Sequence, residues 1–430
     1  MSMTAVALIG IAFMLALMVL RMPVSFALVL TGLVGSAYIV GFEPALNLVA
    51  ADTYRQLTSY GLSVVPLFVL MGQIAYRAGI SRRLYAAAYD WIGSLPGGIA
   101  ATTILACIGF SAVSGSNSAT TATMGSVALP EMKKYGYSPA LSGGSVAIGG
   151  TLGVVIPPST ALIIIAIQAE QSIAQLFTAA VIPGLIVGLA LVATVILVCW
   201  RRPELGPPGP KVSWGRKLRA LTGVIEVVVL FAIVIGGMAA GWFTPTEAGA
   251  VGAFGALLIA LVTRNLTLRQ AWETTVESLR ISAMVLLLIT GAVVFGRFLS
   301  LTRLPFELAN WASNLAAPSL VVLLIILVIY LLGGCFMDAL GFLVISVPIF
   351  FPVAMSLGYD PVWFTIVITL VTTIGAVTPP VGVNVFIVSA LDRSIDVVTT
   401  VKGTMIYYIP YVLCIALFVA FPSLITTWVT

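Results

Sequence analysis

The chain has 430 residues, 60% of them hydrophobic and 8% charged, with a formal net charge of +5 and no histidine. A soluble domain of this size could not cover its surface with so few polar residues, which excludes a soluble enzyme and a nucleic-acid binder. Four scattered cysteines (Cys107, Cys199, Cys335 and Cys414) and the missing histidines leave no zinc-site spacing and no His-based catalysis.

The solvent of such a chain is a lipid bilayer. Apolar runs near the length that crosses about 30 Å of hydrocarbon recur throughout. They predict spans near 4–20, 23–41, 58–76, 140–168, 175–199, 222–242, 246–263, 276–296, 362–390 and 405–428. The stretch from Met1 to Leu20 lacks a basic n-region and a small-residue cleavage site, so it reads as a retained span. Segments near 98–130 and 320–352 read as re-entrant helical hairpins. The Pro-rich loop 201–219 reads as the linker between two halves, 1–221 and 222–430.

The halves are a duplication. Gly136-Tyr137-Ser138-Pro139 recurs as Gly358-Tyr359-Asp360-Pro361, 222 residues later. The same offset carries Thr151-Leu152-Gly153 with Pro157-Pro158 onto Thr373-Ile374-Gly375 with Pro379-Pro380, and Pro130 onto Pro352. Each half holds about five spans and one hairpin. An odd number of crossings inverts the second repeat relative to the first, and paired breaks in hydrophobic segments mark the binding site of a secondary transporter.

Charge supports this threading. With re-entrant hairpins, every Lys and Arg except Arg55, Arg297 and Arg303 falls on one side. The positive-inside rule makes that side cytoplasmic and places both termini in the periplasm. If the hairpins crossed fully, Lys133, Lys134 and the basic linker would change sides and the sorting would collapse. Arg297 and Arg303 then read as snorkelling anchors or as contacts for an anion. Thr246 reads as a helix cap, with Glu247 in the first turn.

The chemistry sits in four segments. The first hairpin turns at Ser114-Gly115-Ser116-Asn117-Ser118, and its matched break holds Gly150, Thr151, Gly153, Pro157, Pro158 and Ser159. The second turns at Gly333-Gly334-Cys335-Phe336-Met337-Asp338, matched by Thr373, Gly375, Thr378, Pro379, Pro380 and Asn384. Non-helical backbone at membrane depth survives only where it lines protein or a wet cavity. Its hydroxyls and carbonyls suit Na⁺, while N–H groups at a helix start suit a carboxylate. Prolines remove donors and leave upstream carbonyls free. Two sodium sites are therefore expected, each pairing a tip with the break of its own half. The first takes Ser114, Gly115, Ser116, Asn117, Ser118, Gly150, Thr151, Gly153 and Pro157. The second takes Gly333, Gly334, Met337, Asp338, Thr373, Gly375 and Thr378. Ser116, Asn117, Ser159, Pro380 and Asn384 are the expected substrate contacts. Close helix packing by small residues and simple proline kinks are the competing readings. Asp338 either ligates an ion or caps the outgoing helix. Asn384 either meets substrate or satisfies nearby carbonyls.

These motifs, together with Pro130-Glu131-Met132-Lys133-Lys134 and Thr244-Pro245-Thr246-Glu247-Ala248, span about 80 to 390. They resemble the large membrane subunit of tripartite ATP-independent periplasmic (TRAP) transporters. Asn117-Ser118 departs from the resemblance, since family members often carry Ser and Ala there. The resemblance implies an all-helical inner-membrane protein of elevator type with Na⁺ as coupling ion. It also implies a small membrane subunit as partner, a periplasmic binding protein and an organic-acid substrate such as a dicarboxylate, sialic acid or another sugar acid. A stand-alone Na⁺/anion symporter of similar hairpin architecture is the alternative.

Overall fold

The computed structural model describes residues 2–314 and 317–428, and among them every regular element is helical. Among the described residues, eight helices are long and apolar enough to cross a membrane, or nine if one bent pair counts as a span. Four shorter apolar helices of 10–17 residues accompany them.

Element boundaries follow the sequence offset. The first hairpin joins Gly98–Ser114 to Asn117–Lys134, and the second joins Ser319–Phe336 to Ala339–Ser356. The broken helix Pro139–Val155 plus Thr160–Gln168 is matched by Pro361–Gly375 plus Val383–Leu391. Ile173–Arg201 is matched by Val397–Ala420, and Ile80–Ile92 by Leu304–Asn314.

The halves differ in one span. Phe42–Leu57 and Tyr60–Arg77 meet at a 57° bend, whereas their counterpart Leu268–Leu301 runs unbroken for 34 residues. The bend falls at Thr58-Ser59-Tyr60-Gly61, a run of weak helix formers with a glycine. The positions 222 residues later hold Arg280-Ile281-Ser282-Ala283, which continue a helix. Arg297 ties the two versions together: its Nε and Nη2 donate to Asp52 Oδ2 and Oδ1 at 3.0 and 2.8 Å. That bidentate bond to a buried carboxylate replaces the snorkelling anchor read from sequence.

One further local reading changes. The cap ahead of Pro245–Val262 is Thr244 rather than Thr246. Thr244 Oγ1 accepts from the Glu247 N–H at 3.3 Å, and Glu247 Oε2 accepts from the Thr244 N–H at 2.8 Å. Proline at the first helical position moves the cap one residue before it. The linker, in turn, is strapped to the base of the first hairpin. Gly97 and Ser138 donate their N–H groups to the Gly206 and Leu205 carbonyls at 2.8 and 2.9 Å, and Gly209 N–H donates to Gly93 at 2.9 Å. Arg216 then donates to Asp90 Oδ2 at 3.0 Å.

The broken helices lie at the centre. Every residue from Leu141 to Val155 is buried, as is every residue from Val362 to Gly375. Gly144 and Gly403 let Pro139–Val155 and Val397–Ala420 approach with their backbones in contact, so a Cβ on Gly144 would meet the Gly403 carbonyl carbon and oxygen.

Candidate ion and substrate site

The first tip is built by three residues with different backbone needs. Gly115 ends the incoming arm with a left-handed φ of 64°, open to glycine at no steric cost. Ser116 is extended and caps the outgoing arm, its Oγ accepting from the Ala119 N–H at 3.4 Å. Asn117 Oδ1 accepts from the Ser118 N–H at 2.8 Å.

This tip is seated on the break of its own half. Thr160 donates its N–H and its hydroxyl to the Gly115 carbonyl at 3.2 and 2.9 Å. Gly153 faces the Ser116 carbonyl so closely that a Cβ there would collide with it and lie 2.5 Å from Thr120 Oγ1. A Cβ on Gly115 would lie 2.7 Å from the Pro158 carbonyl oxygen. Ser114, Gly115, Ser116 and Gly153 are thus brought together, and Thr120 Oγ1 donates to Ser114 Oγ at 3.2 Å. Two predicted members face elsewhere. Thr151 Oγ1 donates to the Ile148 carbonyl of its own helix at 2.6 Å, and Gly150 abuts the Thr121 side chain and Asn384. Pro157 is buried within the break.

The second tip repeats the arrangement with other atoms. The Cys335 carbonyl accepts from Val381 and Gly382 N–H at 3.2 and 3.1 Å. Gly375 sits against Gly334, where a Cβ would lie 2.6 Å from the Gly334 carbonyl carbon. Met337 is extended and Asp338 caps Ala339–Ser356, its Oδ2 accepting from the Leu340 N–H at 3.3 Å. Gly333 packs on the Phe342 ring of its own hairpin rather than on the break. Thr373 Oγ1 donates to the Leu370 carbonyl and pairs with the Tyr411 hydroxyl, each at 2.9 Å. The Thr378 hydroxyl donates to the Ile374 carbonyl at 2.8 Å.

Bonds between the halves join the two sets. Asn117 Nδ2 donates to Asp338 Oδ1 at 3.2 Å, linking tip to tip. Asn384 Nδ2 donates to the Ala147 carbonyl at 3.1 Å, linking the second broken helix to the first. Gln168 Nε2 donates to the Val344 carbonyl at 3.0 Å, and Lys133 Nζ lies 3.6 Å from Asp392 Oδ2. Hydrogen bonds from the side chain and amide of Ser394, helped by Lys133, hold the Asp392 carboxyl below the usual carboxylate range.

A cavity of about 550 Å³ opens beside the tips. Ser114, Ser116, Ser118, Thr160 and Asp338 line its floor, and Val69, Gln73, Tyr76, Glu277 and Leu288 line its walls. No lysine or arginine is among its lining residues. Ser159, Pro380 and Asn384 lie outside that lining: Ser159 Oγ caps Thr160–Gln168 by accepting from the Leu162 N–H at 3.3 Å, Pro380 is exposed, and Asn384 is wholly buried. Gln73, Tyr76 and Glu277 escaped the sequence reading because ordinary span residues carry no local signal. Only the tertiary fold brings them to the cavity. The donors at both tips are oxygens, the chemistry of a hard cation.

The chain matches, over residues 11–424, the family described as tripartite ATP-independent periplasmic transporter, DctM component. It belongs to that family. The C4-dicarboxylate TRAP transporter large permease protein DctM of Pseudomonas aeruginosa is 36% identical over 362 residues, 84% of each chain. The sialic acid TRAP transporter large permease protein SiaM of Vibrio cholerae is 32% identical over 410 residues, 95% of each chain. Among solved structures, the YdaH transporter of Alcanivorax borkumensis superposes with a TM-score of 0.65 over 97% of this chain and 98% of that one, at 13% identity, so the fold is that of a membrane transporter. A DctM component is a multi-pass transport permease and not an enzyme. The family works with a periplasmic substrate-binding protein and usually with a small membrane subunit.

Proposed function

We propose that this permease takes up an organic acid by Na⁺ symport, receiving it from its periplasmic binding protein and moving it by an elevator displacement of the hairpin and broken-helix core. The observation that carries the reading is the pairing of each tip with the break of its own half, beside one cavity lined by hydroxyls of the first tip and the Asp338 carboxylate of the second. Relatives named for C4-dicarboxylate and sialic acid transport support an acidic substrate.

The lining explains why ions would be needed. The lining holds no lysine or arginine, and Arg77 at its edge is paired with Glu277 at 3.3 Å, so a carboxylate draws on the positive dipole end of Asn117–Lys134 and on cations at the tips. Binding of anion and Na⁺ then favour each other, since each desolvated charge compensates the other. The hydrogen bonds between halves support an elevator, because they fasten both tips and both broken helices into one body. The helices Val24–Val40, Val64–Arg77 and Leu268–Leu301 stand across the cavity as the frame.

Transporter reconstituted in liposomes with its small subunit and binding protein should accumulate labelled succinate or sialic acid only under an inward Na⁺ gradient. Uptake driven by ATP, or unchanged when choline replaces Na⁺, would refute the mechanism.

The proposed topology places this cavity's Tyr76 and Glu277 end toward the cytoplasm and both termini in the periplasm of an inner membrane. Single cysteines at Lys134 and Tyr359, in a cysteine-free background, should then react with impermeant reagents from the cytoplasm and the periplasm respectively. Labelling of both from one face would contradict inverted hairpins.

A further inference from the structure

The second break is braced by Val397–Ala420 in a way the first is not braced by its counterpart. Beyond Pro361–Gly375 the chain tightens: Ala376, Val377 and Thr378 donate their N–H groups to the Thr373, Ile374 and Gly375 carbonyls at 3.2, 3.2 and 2.9 Å. The Ala376 carbonyl accepts from the Asn384 N–H at 3.1 Å. The next carbonyl, Val377, accepts from the Tyr408 hydroxyl at 2.9 Å. Thr404 Oγ1 lies 3.4 Å from the same oxygen and 3.0 Å from the Tyr408 hydroxyl. Tyr408 and Thr404 are one turn apart, so one helix face presents both hydroxyls to one carbonyl. In the first half the positions 222 residues earlier are Ile186 and Ile182, and neither side chain can donate.

Pro379 and Pro380 lack the N–H groups that a continued helix would give to the Gly375 and Ala376 carbonyls, and the Val381 N–H that would reach Val377 donates to Cys335 instead, so the Val377 oxygen has no helical partner and is open to a cation. Here the Tyr408 hydroxyl occupies it, and Thr404 Oγ1, which donates to the Val401 carbonyl of its own helix at 2.8 Å, stands beside them. We propose that Tyr408, with Thr404, is a positioning residue for the second ion site. Its hydroxyl fixes the peptide plane between Val377 and Thr378. The Val377 oxygen is thereby withheld from the ion, and Gly375 and Thr378 keep the geometry that binds it. The inference rests on the Na⁺ reading of the breaks. It adds that the two sites are unequal, the second set by a hydroxyl clamp and the first by backbone packing of its tip.

The test needs no substrate. The purified chain is melted in detergent while NaCl replaces choline chloride at constant ionic strength, and the Na⁺ concentration for half-maximal stabilisation is read. Tyr408→Phe removes one oxygen and should raise that concentration about fivefold, the effect of one lost hydrogen bond. Thr404→Val should raise it about twofold, as the longer contact implies. Tyr407→Phe is the control, because the Tyr407 hydroxyl pairs with Ser145 Oγ at 2.7 Å, away from both breaks. It should leave the half-point unchanged. A wild-type chain that Na⁺ does not stabilise beyond choline overturns the Na⁺ reading itself. Na⁺ stabilisation with an unmoved half-point in Tyr408→Phe overturns the clamp alone, as does an equal shift in Tyr407→Phe. If Tyr408→Phe does not fold, Thr404→Val decides by the same titration.

Discussion

Gly153→Ala and Gly375→Ala are each expected to lower Na⁺-driven uptake roughly 10- to 100-fold. Both glycines are helical, so the demand is for space and not for a left-handed backbone. At Gly153 an added Cβ meets the Ser116 carbonyl and would lie 2.7 Å from the Ser116 carbonyl carbon. At Gly375 it would lie 2.6 and 2.7 Å from Gly334 backbone atoms and 2.7 Å from the Leu331 carbonyl oxygen. Side chains can rotate out of such a contact, but main chain cannot. The tip must lift from its break, and the oxygens that face each other there separate. Overpacking of this kind costs about 1–3 kcal/mol, about 5- to 150-fold, which brackets the stated range. The Na⁺ concentration for half-maximal uptake should rise with the loss. Thr151→Val and Thr373→Val should do far less. The Thr151 and Thr373 hydroxyls each serve their own helix and the Tyr411 hydroxyl. Membrane insertion and subunit assembly, read by co-purification, should be unaffected. Wild-type turnover and Na⁺ dependence in both glycine variants would reduce the breaks to packing features.

The glycine and proline pattern was legible because its cause is local. A break needs residues that cannot continue a helix, and a duplicated break needs them twice at one offset, so the positions where helices end and the all-helical class could be read from sequence. Amphipathic helices were harder. Ile80–Ile92 contains Arg82, Arg83 and Asp90, and Phe42–Leu57 contains Glu43, Asp52 and Arg55, so neither registers as an apolar run. The side-chain roles were least legible, because they depend on residues far apart in the chain. Arg297 meets Asp52 across 245 positions, Asn117 meets Asp338 across 221, and Asn384 meets Ala147 across 237. Asn384 illustrates the limit: its sequence neighbourhood placed it at a break, yet its amide reaches Ala147, two turns before the break of the other half. Tyr408 had no signal beyond a polar residue in a span.

Asp338 separates capping from charge, and its substitutions should carry the largest effect of any polar side chain in the cavity. One carboxylate oxygen caps the outgoing helix at Leu340, and the other accepts from Asn117. Asp338→Ala removes both. It should cost about 1 kcal/mol for the cap and about 1–3 kcal/mol for a buried amide left without its acceptor. Uptake should fall roughly 100-fold. Asn117→Ala leaves cap and carboxylate in place and should lower uptake only about fivefold. Asp338→Ser is the informative change. The residue 222 positions earlier is Ser116, which caps the first hairpin with a neutral oxygen, so the fold already accepts serine at this step of the motif. Asp338→Ser should restore thermal stability and assembly. It should leave uptake at least about tenfold below wild type, because a half-buried carboxylate on a cavity lined by no lysine or arginine has work for its charge only if a cation comes to it. Its Na⁺ half-saturation should rise in parallel. If the serine variant instead transports at the wild-type rate with wild-type Na⁺ dependence, Asp338 is a helix cap and the second ion site draws on backbone and threonine oxygens alone.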